Sequence, residues 1–322
     1  MTLPSLNELE SAASLVHSVL PPTPQYNWPL LSQRLGAEVW VKHENHAPTG
    51  SFKVRGGLVY LERLLQRQRP EGLIAATRGN HGQSVGFAAQ RLGLPATIVV
   101  PHGNSREKNA AMRALGVELI EQGEDFQAAR EMAARHAAAA GLHAVPALHS
   151  DLIAGVASYC LEFLRAQPKL DVVYVPVGMG SGICAMVAAK AALGHQVEIV
   201  GVVSVHAPAY ALSFASGELQ SHAVSTQLAD GLACRTPDAL ALSIIRRGVS
   251  RFVQVSDTAV AEAMRCLYTD THNVAEGAGA ASLAGAMLEA ERNFGRRVGV
   301  VVTGANVDHG QFASVLSGAV LH

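Results

Sequence analysis

Lys53 stands in the stretch Pro48–Gly57 (PTGSFKVRGG), a single lysine among glycines, hydroxyls and one aromatic. It directly follows Phe52 and a turn-forming Thr49-Gly50-Ser51, where the sequence predicts a helix over roughly Phe52 to Gln68. An ammonium held there in a partly apolar pocket loses solvation, so its pKa falls and the neutral amine becomes a nucleophile. Such an amine forms imines with carbonyl compounds. An ordinary surface lysine at a helix start is the plainer alternative.

Three further loops carry groups that could serve the same chemistry. Thr77-Arg78-Gly79-Asn80-His81-Gly82-Gln83 joins a strand to a helix. There Gly79 permits close backbone approach, Asn80 offers a donor and an acceptor, and the helix N-terminus favours an anion. A simple turn with an asparagine cap would have the same residues. Gly178-Met179-Gly180-Ser181-Gly182 follows a strand and opens a helix. Alternate glycines let successive N–H groups point inward as a phosphate nest, although tight packing alone also wants glycine. The loop has neither GxGxxG spacing nor the lysine of a Walker loop, which argues against a dinucleotide or a nucleoside triphosphate. Thr303-Gly304-Ala305-Asn306 follows the last strand. Its hydroxyl suits a buried ring nitrogen, although threonine also ends strands for conformational reasons. An amine nucleophile, a polar clamp, a phosphate nest and a hydroxyl for a heteroaromatic nitrogen together suit pyridoxal 5'-phosphate.

The elements that must position these loops alternate from residue 70 onward. Strands are expected at Leu73–Thr77, Ala96–Val100, Val117–Glu121, Val172–Val177, Val197–Val203 and Val298–Thr303. Helices are expected at His81–Leu92, Arg106–Leu115, Asp125–Ala140, Asp151–Gln167, Ile183–Leu193, from an Asp257 cap to about Thr269, and over Gly277–Asn293. Short uninterrupted apolar strands between helices predict an α/β fold with parallel sheet covered on both faces. Ligands of such sheets collect at the carboxyl ends of strands, where all three loops fall.

With 322 residues the chain can build two domains. A formal charge of −1 gives no electrostatic case for nucleic acid or an anionic membrane as partner. No apolar run is long enough to span a bilayer, and the opening MTLPSLNELESA does not read as a signal peptide. Cys160, Cys184, Cys234 and Cys266 are scattered, which predicts buried free thiols and a reducing, cytoplasmic location. The pairs His43/His46 and His143/His149 have no cysteine or carboxylate at ligand spacing, so no metal site is expected.

The chain resembles the fold-type II pyridoxal-phosphate enzymes, in the branch of serine/threonine dehydratases and serine racemases. The resemblance runs through KHENHAPTGSFKVRGG (Lys42–Gly57), TRGNHGQ (Thr77–Gln83), HSDLIAG (His149–Gly155) and VGMGSG (Val177–Gly182). It continues in ADG (Ala229–Gly231), EGAGA (Glu276–Ala280) and TGANVD (Thr303–Asp308). It implies two open twisted parallel-sheet domains, a large one from 1–49 plus 150–322 and a small one over 50–149, with the cofactor in the cleft. By the same resemblance Lys53 is the catalytic lysine that carries the cofactor. Phe52 packs on its ring, Asn80 bonds its phenolic oxygen, Gly178 to Gly182 bind its phosphate, and Thr303 meets its ring nitrogen. Ser51, Asn80 and His81 grip the substrate carboxylate, and Arg78 binds that carboxylate or a second one, or faces outward. The implied activity is β-elimination from a 3-hydroxy amino acid, giving a 2-oxo acid and ammonia in amino-acid catabolism. Threonine and serine are the default substrates, with 3-hydroxyaspartate, phenylserine or a hydroxyectoine-derived amino acid as alternatives. A homo-oligomer, as a dimer, is also implied.

Four departures from the family pattern bear on that expectation. Arg78 replaces the serine with which racemases protonate the opposite face, and arginine stays protonated. Racemisation is therefore disfavoured, with a racemase or a non-catalytic binder of cofactor or amino acid as the alternatives. Val203 and Ser204 replace a Glu-Pro whose glutamate serves a cation site. Val156 and Ser158 replace Gln and Thr, a change expected to reshape packing, and Ala305 replaces a glycine. The resemblance also predicts no C-terminal regulatory domain and hence no inhibition by isoleucine.

Overall fold

A computed structural model describes residues 3–318; the first two residues of the opening stretch lie outside it. Ten strands form two sheets. They are β1 (Gln25–Asn27), β2 (Glu38–His43), β3 (Leu73–Ala76), β4 (Ala96–Val100), β5 (Glu118–Glu121), β6 (His143–Ala144), β7 (Val172–Pro176), β8 (Glu198–Ser204), β9 (Arg251–Val255) and β10 (Arg297–Val302). The larger sheet runs β1-β2-β10-β7-β8-β9 and is parallel except for β1. The smaller sheet runs β5-β4-β3-β6 and is wholly parallel. All its strands come from the stretch between β2 and β7.

The strand sequences explain their depth. Every residue of β4 and of β7 is buried, as expected of parallel strands covered on both faces. Helices Lys53–Arg67 and Ser181–Leu193 both pack on helix Ser150–Ala166. One buried apolar cluster includes Ile98 of β4, Val85, Tyr159 and Val173 of β7, so the two sheets share a core.

Some elements differ from expectation. The helix foreseen over Gly277–Asn293 stops at Leu288 and resumes as Ala290–Asn293. At the break, Glu289 turns to Arg251 and to the Tyr174 hydroxyl, while buried Asn293 donates to the Ala286 carbonyl. Ser256, not Asp257, caps helix Asp257–Thr271, its side chain accepting from the Ala259 N–H. Asp257 instead holds the Thr226 hydroxyl and the Gln227 N–H. Ser158 does more than pack: its hydroxyl accepts from Arg55 at 2.9 Å. Arg55 is fully buried between Glu44 and Glu162, and Lys42 also pairs with Glu162.

Among the described residues no helix is long and apolar enough to cross a membrane. All four cysteines are free and buried. His43 and His46 stack at 5.0 Å, and His43 accepts from the Trp28 indole. His143 and His149 both pack against Tyr60.

Candidate active site

The site forms where β3, β7 and β10 end. The loop ahead of helix Lys53–Arg67 is zipped to the loop after β10. The Phe52 N–H donates to the Thr303 carbonyl at 3.1 Å and the Ala305 N–H to the Gly50 carbonyl at 2.9 Å. Ser51 and Gly304 pair as an isolated antiparallel bridge. Ala305 replaces glycine here without strain, because His272 is the only described non-glycine residue with positive φ.

That zipper fixes Lys53 as the first residue of its helix. Its Nζ lies 5.1 Å from the Phe52 ring centroid. Burial lowers the amine's pKa from 10.5 to about 8, against a smaller opposing pull from Glu276. The amine is therefore far closer to its neutral, nucleophilic form than a solvated lysine.

The loop after β3 is held by Thr77, whose hydroxyl accepts from the N–H groups of Gly79 (2.9 Å) and Gly82 (3.4 Å). Gly79 is the residue before the helix, at φ 155°, and Lys108 packs where its Cβ would be. Asn80 is thus not the cap. Its amide donates to Glu276 Oε1 at 2.6 Å and its oxygen accepts from Asn306 at 2.8 Å. His81 is buried with Nε2 unpartnered, and burial followed by Lys53 holds its pKa down at about 4. Arg78 is exposed but lines the same space as Lys53.

In the loop after β7, Gly180 takes φ 97° and precedes helix Ser181–Leu193, which has no side-chain cap. The first N–H groups of that helix are left for an anion. A Cβ on Gly178 would lie 2.1 Å from the Gly231 carbonyl oxygen, so only glycine fits the approach of the two loops.

Phe52, Lys53, Asn80, Gly178, Met179, Gly180, Ser181, Gly182 and Thr303 line one cradle together. Lys53, Arg78, Asn80, His81 and Met179 also line an adjoining chamber of about 100 Å³. Ser51 lines neither: it is fully buried, with its hydroxyl unpartnered.

A buried ionic cluster whose pairing no sequence motif announces also stands in this site. Lys108 pairs with Asp230 at 2.7 Å and with Glu276 at 3.4 Å. Burial raises the Glu276 carboxyl against the pull of Lys108. Burial works to lower Lys108, yet the two carboxylates together hold it well above the ordinary lysine value. Asp230 and Glu276 fall within ADG and EGAGA, which marked them without a role; Lys108 has no local signal at all.

The residues fit pyridoxal 5'-phosphate on the donor set. The cradle offers an enclosed amine, uncapped helix N–H groups and the buried Thr303 hydroxyl, whose protein contact is a long 3.4 Å bond to the Ala278 carbonyl.

The model of the family described as "Pyridoxal-phosphate dependent enzyme" matches residues 17–304. The chain is 33% identical to the L-threonine ammonia-lyase of Thermotoga maritima, over 94% of this chain and 76% of that one. It is 31% identical to the L-threo-3-hydroxyaspartate ammonia-lyase of Saccharomyces cerevisiae, over 99% of this chain and 98% of that one. The solved structure of processed threonine deaminase isoform 2 from Solanum lycopersicum superposes with a TM-score of 0.90 at 27% identity, covering 99% of this chain and 96% of that one. The chain belongs to the pyridoxal-phosphate dependent enzyme family, as a fold-type II lyase whose cofactor is pyridoxal 5'-phosphate.

Proposed function

We propose that the chain is an ammonia-lyase of 3-hydroxy amino acids, releasing a 2-oxo acid and ammonia. The observation that carries this reading is that the chamber holds one group fit to move a proton near neutral pH, Lys53. Arg78 stays protonated, Lys108 is locked between two carboxylates, and His81 is held neutral as a weak base. A racemase needs a second proton carrier on the opposite face, and the remaining carboxylate of the chamber wall, Asp230, is held in an ion pair with Lys108.

Bound at Lys53, pyridoxal 5'-phosphate supplies an electron sink that weakens the substrate Cα–H bond. The protein's own residues do the rest. Lys53 Nζ, once free of the cofactor, takes the Cα proton as general base. Departure of the Cβ hydroxyl as water completes the elimination, and hydrolysis of the released product regains one water and yields ammonia. Thr77 engages the Gly79 and Gly82 N–H groups, leaving those of Asn80 and His81 at the helix start for the substrate carboxylate. Arg78 adds a positive charge at the same wall. Asn80, fixed between Glu276 and Asn306, orients toward the cofactor's phenolic oxygen. The first turn of helix Ser181–Leu193 holds the phosphate, and Thr303 faces the ring nitrogen. The stretch 50–149 is the small domain in this reading, with 1–49 and 150–322 forming the large one. Threonine and 3-hydroxyaspartate, the substrates named for the ammonia-lyase relatives, are the leading candidates, with serine beside them.

The test follows visible absorption of the purified, cofactor-supplemented protein while a panel of 3-hydroxy amino acids is added and 2-oxo acid is assayed. Oxo acid from panel members, with the absorption band absent in Lys53→Ala, supports the reading. A band with racemised amino acid and no oxo acid overturns it.

A further inference from the structure

The cofactor cradle, the chamber and a third space form a connected row. Cradle and chamber share Lys53, Asn80 and Gly178. The chamber in turn shares Ala76, Phe126, Ala147 and Met179 with an annex of about 480 Å³. Alanines make up much of the annex wall, including Ala75, Ala133, Ala134 and Ala144. Among its charged lining groups, Asp238 is engaged in capping the N–H groups of Leu240 and Ala241, while Arg130 is exposed.

Size and polarity decide what such a row can hold. A chamber of about 100 Å³ accommodates the methyl of threonine. A cavity that holds benzene measures about 150 Å³. An aryl or branched alkyl group at the substrate Cβ must therefore leave the chamber. Two ways out exist. Past Lys108 and Asp230 lies a space lined by Ser105, Glu107, Asp308 and His309, which are hydrogen-bonded to one another across the cleft. Past Phe126 and Met179 lies the annex, where an apolar group exchanges water for carbon.

We infer that the annex is the side-chain subsite, and that the enzyme acts best on 3-hydroxy amino acids with an apolar branched or aryl group beyond Cβ. This rests on the lyase reading above and narrows its substrate class. Threonine and serine react but leave the annex filled with water. Ala134 and Ala144 line the annex alone and are exposed, so enlarging them fills it without touching the chamber.

The test measures kcat/KM of the holoenzyme for serine, threonine, 3-hydroxyleucine and phenylserine, in wild type and in Ala134→Leu and Ala144→Leu. Wild type is expected to favour phenylserine or 3-hydroxyleucine over threonine by about tenfold or more, the scale on which hydrophobic pockets discriminate. The two variants, checked by thermal denaturation, are expected to lose that preference while serine stays within about twofold of wild type. Turnover of serine and threonine with no advantage for the larger substrates overturns the annex assignment and leaves the lyase reading intact. An equal loss for all four substrates in both variants also overturns it. Oxo acid from none of the four overturns the annex assignment, and its absence with 3-hydroxyaspartate as well overturns the lyase reading.

Discussion

Lys108 Nζ reaches across the cleft to Asp230 Oδ2 at 2.7 Å, joining a helix of the β3–β6 stretch to the short turn Asp230–Leu232 beside the Gly178–Gly182 loop. The same ammonium faces the buried Glu276, whose other oxygen holds Asn80. One cation thus ties both walls of the active site to the side chain assigned to the cofactor.

Replacing Lys108 by methionine leaves Asp230 and the buried Glu276 without the cation that pairs with both. Removing one partner of a buried pair typically costs about 3–5 kcal/mol. Part of that is relieved here, because Asp230 is about a third exposed. A loss of about 2–3 kcal/mol in urea denaturation is expected, with kcat/KM at least tenfold lower. An unchanged denaturation midpoint would show that the pair is unimportant.

Cofactor capture by the apo-protein should follow the neutral fraction of Lys53. Its rate is expected to climb about tenfold per pH unit below about pH 8 and to level off above, read from visible absorption after mixing. The stability of the apo-protein carries the matching sign. Between about pH 8 and 10.5 the unfolded lysine holds a proton that the folded one has lost, so this residue makes stability rise with pH there. Lys53→Ala should remove that rise, and a rise of the same size in the variant would assign it to another group.

Gly180→Ala places a Cβ at φ 97°, 2.8 Å from Ala241 Cβ and 3.1 Å from the Tyr210 hydroxyl. Strained φ/ψ of this kind costs about 1–3 kcal/mol. The loop must shift to relieve it, so cofactor affinity is expected to fall at least about tenfold in equilibrium dialysis. Full affinity in the variant would remove the phosphate from this loop.

Arg78→Ser replaces the cation at the chamber wall with a hydroxyl in the space that Lys53 also lines. KM is expected to rise by about tenfold as one charge-assisted bond to the carboxylate is lost, with little change in thermal midpoint. Racemised substrate, detected by chiral chromatography, should appear alongside oxo acid. An unchanged KM would mean that Arg78 faces solvent throughout.

Arg55→Met tests the buried network away from the chemistry. Arg55 donates to both oxygens of Glu44 and to Glu162, all of them buried or nearly so. A loss of about 3–5 kcal/mol is expected, because both carboxylates keep their desolvation without their main partner. Thermal denaturation reads it directly.

The local sequence determined a good deal of this protein. Continuous apolar runs such as Val172–Pro176 announce buried parallel strands, because both faces must leave water. Thr77–Gln83 and Gly178–Gly182 announce their loops, because a tight strand-to-helix turn at positive φ needs glycine. Lys53 is legible from its neighbours alone. The helices and strands before residue 50 and around 205–255 were not foreseen, since stretches such as Glu38–His43 mix charge with apolar residues and bury both. Burial of Lys42 is stable because Glu162 pairs with it and the Thr23 carbonyl accepts from it. The Lys108–Asp230–Glu276 cluster and the annex were likewise decided by the tertiary structure. Their members lie far apart in the chain, and neither a charge's partner nor an empty volume exists until the two sheets have packed.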